Sequence, residues 1–278
     1  MQATAAKPTI QQREQNESAR TRALVRFNGL TFHGITAASF LETAAPQHAN
    51  RLMGAFGACP DVRLWLEQVW WPQRAELGRQ LRQYVEATWP EFDWQAAYQE
   101  FCEDYRPRSG LESLGGGSVR EALGLCVTAA QAAVFYRALA NSADDPALRE
   151  AARGAAHAHA AYFDVFRALF ERCKRDERVG FADCLRTVAA ICRSARDHDV
   201  ALAFQALGRN WNGTPIVPEL AYPGFRERMA RLIQRHAALG LVERLLFRPW
   251  LVPDRATAAP QPPAARPDQW SLLAPQPA

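Results

Sequence analysis

The sequence predicts an all-α protein: a four-helix bundle with an N-terminal helical extension. Apolar residues recur near a 3.6-residue period, while no alternating strand pattern and no repeat of solenoid length occurs. The second half divides into four long periodic stretches, two of whose connections are short and one long. A chain of 278 residues can bury a sizeable core, and 48 % hydrophobic with 22 % charged residues is the balance of an ordinary globular protein.

Residues 1–22 are polar and 253–278 are rich in Pro and Ala, so both ends are expected to be disordered. Trp270-Ser-Leu272-Leu273 in the second could serve as a docking peptide. Between them lie a Trp-rich extension, 23–117, and the bundle, 118–252. Within the extension, 61–88 carries Leu77, Leu81, Tyr84 and Val85 at helical spacing, with Pro72 separating an earlier turn from a later one. A shorter helix over 94–104 places Trp94, Ala97, Tyr98 and Phe101 on one face. RPRSGLESLGGGS is a linker, and Ser118-Val-Arg-Glu121 at its end reads as a capping box. The four bundle helices, A to D, are expected at 118–141, 145–175, 181–208 and 223–249. Asp144-Asp145-Pro146 supplies the acidic cap and first-turn proline of B.

Charge and targeting signals narrow the function classes. The net charge of +4 is spread among interleaved acids, so no nucleic-acid footprint is present. No signal-peptide run opens the chain and no long uncharged apolar stretch spans a membrane, so a cytoplasmic location is expected. Six cysteines lack CxxC or zinc spacing and read as small buried hydrophobes.

The stretch GAAHAHAAYFDVF, 154–166, raises the functional question. On helix B, residues 152, 155, 156, 159, 163, 166 and 170 share one face, which turns His159 inward and His157 outward. The corresponding stripe of A carries Gln131, that of C carries Asp199, and that of D carries His236 and Glu243. Counting from the turns puts neighbouring members of this set level within roughly 3–6 Å. Burying two imidazoles, an amide and a carboxylate costs several kcal/mol unless they satisfy one another or hold an ion. Two histidines and a carboxylate are also a ligand set of non-haem iron.

At these residues the chain resembles the ferritin-like superfamily of di-metal carboxylate proteins. AAQAAVFYRALANSADDPALREAARGAAHAHAAYFDVFRALF is similar to its first helix pair, and the resemblance covers about 118–250. It implies Gln131 at the first Glu position, Ala156 and His159 at the first Glu-x-x-His, Asp199 at the third ligand, and Ile233 and His236 at the second Glu-x-x-His. With two of those glutamates replaced by Ala156 and Ile233, a single iron or other divalent ion fits better than a di-iron centre.

Two functions follow. In one, His159, His236 and Asp199, helped by Gln131 or Glu243, bind a metal and oxidise an apolar small molecule against Phe135, Phe163, Phe166 and Phe170. In the other, the protein is a metal-free accessory or scaffold subunit that docks a partner protein through Trp65, Trp70, Trp71, Trp89 and Trp94. Haem between His159 and His236 is a third arrangement, supported by the two rings alone.

Overall fold

The computed structural model describes residues 21, 23–57, 59–105, 117–177, 179–211 and 220–236. Among them every regular element is helical: α1 Gly29–Thr43, α2 Ala45–Ala55, α3 Pro60–Trp65, a π-helical turn Leu66–Trp70, α4 Trp71–Thr88, α5 Trp94–Asp104, α6 Ser118–Ser142, α7 Pro146–Glu177, α8 Phe181–Arg209 and α9 Tyr222–His236. The expected disorder of 1–22 and 253–278, apart from Thr21, lies outside the described residues, as do Trp270 and most of the 106–118 linker.

The helix least visible in the sequence lies deepest. In α1 every residue from Phe32 to Phe40, and Glu42, is buried, as expected of a helix apolar on all sides. It begins at Asn28, whose side chain accepts from Thr31 N–H at 3.1 Å. It packs on α4, α8 and α9. Its approach to α4 depends on Gly78, where a Cβ would stand 2.6 Å from Thr43 Oγ1 and 2.8 Å from Thr43 N. Glycine lets the two backbones come this close.

The π turn before α4 has a local cause. Pro72 has no N–H, and its ring would clash with a carbonyl of the preceding turn. The backbone widens there, Trp71 N–H bonding to Leu66 C=O five residues back. Tryptophans tie the chain around α4 and α5 to α1 and the turn before it: Trp89 Nε1 donates to Arg26 C=O at 3.1 Å, and Trp94 Nε1 donates to Ser39 Oγ at 2.8 Å.

Helices A, B and C are α6, α7 and α8 within a residue or two of their expected limits, and D is described to His236. Asp145 caps α7, accepting from Ala147 N–H at 2.9 Å and from Tyr84 O–H at 2.9 Å. The capping box at 118–121 does not form: Gly117 is the cap residue, without a side-chain bond. Ser118 Oγ instead donates to Ala55 C=O at 2.9 Å, while Glu177 accepts the Val119 N–H at 3.3 Å. The hydroxyl spends its one proton on tertiary packing.

By length and composition α6 could cross a membrane, yet 67 % of its most apolar window is buried inside the protein. Its hydrophobicity serves the core, where α6 packs on α7, α8 and α9. Cys126, Cys173 and Cys184 are buried free thiols, and Cys59 and Cys102 are free and half-buried.

Candidate functional site

The most unusual buried chemistry centres on Glu42, in the last turn of α1. Its side chain is 4 % exposed and is opposed by Arg74 of α4 and His159 of α7. Arg74 Nε donates to Oε2 at 2.5 Å. His159 Nε2 lies 2.9 Å from Oε1, and Tyr136 O–H of α6 donates to the same oxygen at 2.9 Å. Facing a carboxylate, the His159 nitrogen must carry its proton. Four helices thus converge on one carboxyl group.

Further contacts hold these groups in place. Arg74 Nη2 donates to Leu41 C=O at 3.1 Å, satisfying a carbonyl left open at the end of α1 and setting positive charge at the negative end of its dipole. The Arg74 guanidinium also lies 5.2 Å from the centre of the Trp70 ring. Tyr136 stacks on the His159 ring at 5.4 Å, and Tyr162 meets it edge-on at 5.3 Å. Tyr162 O–H donates to Gln73 Oε1 at 2.9 Å. Gly78, one turn beyond Arg74, is what lets α4 lie against the end of α1.

Burial alone would push the Glu42 pKa up, but Arg74 and then His159 outweigh it and bring it down to about 2. Arg74 is also desolvated, yet Glu42 raises its pKa further. The tyrosine hydroxyl of Tyr162 is pushed well above its ordinary value, first by burial and then by the Glu42 charge. At neutral pH Glu42 is therefore ionised, with the Arg74 guanidinium as its counter-ion.

The expected metal residues do not gather here. His159 is inward, as its helical phase requires, at 4 % exposure, and His157 is exposed. His159 is joined by Glu42, Arg74 and Tyr136 rather than by Asp199 or His236. Asp199 is half-buried on α8, and Gln131 half-buried on α6. His236 ends α9, where its backbone carbonyl accepts from Asn141 Nδ2 at 2.8 Å and it lines a surface cleft. Glu243 lies outside the described residues. Among the described residues no three His, Cys, Asp or Glu side chains are grouped to hold a metal ion.

The reason is architectural. Four stripes facing one another would bring those residues together, but α1 packs against α8 and α9 and meets the side chains of α6 and α7. Nor is α6 buried along one stripe: Val127, Val134, Phe135 and Ala138 on the Gln131 side are buried, and so are Ala122, Cys126, Ala130 and Tyr136 around it, while Thr128 is exposed. On α8, Leu185 is 50 % exposed while Cys184, Thr187 and Ile191 are buried. The signal that could have found Glu42 is its isolation, for it is the one acid between Glu17 and Asp61, in a helix whose other residues are uncharged or His33.

The donor set around Glu42 does not suit a metal. It offers one carboxylate and one imidazole, with the carboxylate already accepting three hydrogen bonds, one of them from the Arg74 guanidinium. A cation there would have to displace or face Arg74. The aromatic wall is equally committed: Phe166 lies 5.6 Å edge-on to Trp65 and 6.3 Å from Trp70, and Phe163 and Phe170 are buried in the same cluster. Two clefts among the described residues, one between residues 24–30 and α9 and one beside it lined by Gly34, Phe135 and Met229, share no residue with the Glu42 network.

In comparisons with known proteins, no family model matches this chain, nor does any curated protein or solved structure.

Proposed function

We propose that this chain is a metal-free helical accessory or scaffold subunit, whose task is to hold a rigid all-α body against a partner protein. The observation that carries the reading is the pairing of Glu42 with Arg74. A guanidinium fills the coordination space of the buried carboxylate that stands beside His159, so the centre is a structural lock and not a reaction site. Buried charges that satisfy one another in this way fix how helices meet, at little net gain in stability. In this protein the lock joins α1, α4, α6 and α7.

Trp70, Trp89 and Trp94 are 2 %, 0 % and 2 % exposed, so these three anchor the core and leave partner contact to other surfaces. Elemental analysis of protein purified from iron-supplemented cells tests the reading. The expected result is substoichiometric metal and unchanged melting after chelation. Stoichiometric iron, lost in His159→Ala or His236→Ala, contradicts it and supports the oxidoreductase alternative with Asp199, Gln131 and Glu243 as further ligands.

A further inference from the structure

A cleft of about 580 Å³ opens between residues 24–30 and one face of α9. Its apolar lining comes from Leu24, Phe27, Leu30, Leu220 and Leu232. Leu24 is 68 % and Phe27 63 % exposed, and both stand among the few large hydrophobic side chains facing solvent. Opposite them, Arg228, Arg231 and Arg235 repeat at helical spacing along α9, with His236 beside the last. From the first arginine to the third the stripe runs roughly 10 Å, two turns of helix. Arg231 has Glu227 at 3.6 Å, and no lining residue among those described is acidic. A cleft with an apolar wall facing a cationic wall leaves both exposed where neither satisfies the other.

We propose that this cleft docks an acidic, amphipathic segment of a partner protein, its bulky apolar side chains covering Leu24 and Phe27 and its carboxylates pairing with Arg228 and Arg235. The proposal rests on the accessory-subunit reading and gives it a surface and a partner chemistry. Charge complementarity selects the occupant. Arginine forks pair bidentately with carboxylates, and an apolar strip beside them takes the anchor residues of an amphipathic helix. Association with such a rim should be salt-dependent, since exposed charges act mainly on the encounter rate.

The test is fluorescence anisotropy of a labelled synthetic peptide, with glutamates on one helical face and leucines and a tryptophan on the other, titrated with the full chain. Saturable binding is expected, weakened about tenfold or more in Arg228→Glu/Arg235→Glu and in Phe27→Ser. Binding should also weaken with added salt and with the glutamates changed to glutamine. All three positions are exposed, and circular dichroism melts superimposable on wild type show that the variants fold; Arg228→Gln/Arg235→Gln is the milder second variant. Absence of binding, equal binding of the glutamine peptide, or binding of phosphatidylserine vesicles without binding of the peptide overturns the proposal. A metal-free protein that ignores the peptide refutes the docking site alone, whereas stoichiometric metal in a protein that binds it refutes the accessory reading alone.

Discussion

Each partner of Glu42 contributes differently, and single substitutions separate them. Arg74→Ala leaves a carboxylate buried without its cation and is expected to cost about 3–5 kcal/mol in urea unfolding. Tyr136→Phe removes one of three hydrogen bonds to the carboxylate and should cost about 1 kcal/mol. A loss in Arg74→Ala no larger than in Tyr136→Phe would mean that the ion pair is not the keystone. A second titratable group lies nine residues earlier in α1. His33 is buried among Phe204, which stacks on it at 4.4 Å, Phe32 and Phe225. Its Nδ1 has no hydrogen-bond partner among the described residues, and burial lowers its pKa from 6.5 to about 4. Because the folded state resists the proton that the unfolded chain accepts, this stability is complete above pH 6.5 and lost as pH falls toward about 4. The Glu42 contribution, from a pKa lowered to about 2, is lost between roughly 4.5 and 2. Denaturant unfolding across pH should show both losses, with His33→Phe flattening the upper window and Glu42→Gln the lower.

Among the elements, two glycines in long helices have opposite roles. Gly78 stands where α4 touches the backbone of Thr43, and Gly78→Ala is expected to destabilise by about 1–3 kcal/mol, since backbone as well as side chain must shift. Thr43→Ala should recover only part of that loss. Gly154 is exposed in α7 with nothing within 4 Å of its would-be Cβ, so Gly154→Ala should stabilise by about 0.5–1 kcal/mol. Thermal melts of the two variants moving in the same direction would contradict the packing described. The same scale shows what was legible. The ends of α6 to α8 and the inward face of α7 follow from periodicity, proline and capping residues, because α7 is one-sided and its apolar stripe is sharp. The phase of α6 did not follow, because a helix buried on most sides has no single stripe. The place of α1 did not follow either: an apolar helix looks alike whichever neighbours surround it, and its contacts with α4, α8 and α9 are long-range. Periodicity therefore marks His159 as buried but does not mark its partner, more than a hundred residues away.

For the molecule as a whole, the charges divide by location. The interior keeps a matched pair at Glu42 and Arg74, whereas the arginines of α9 face outward beside exposed hydrophobic residues. That division suits the accessory subunit proposed above, with a core locked against rearrangement and one face offered for association. Under the proposed function His159 has no role that needs an open coordination position. The state of its Nε2 decides the matter, because a proton and a metal ion cannot both occupy that lone pair. Imidazole nitrogen NMR of the full chain, with zinc or ferrous iron titrated in, reads that state directly. The account predicts a His159 Nε2–H resonance, coupled to Glu42, that persists unchanged at excess metal; its loss at one equivalent, with Nε2 shifting as a metal-bound nitrogen, would contradict it.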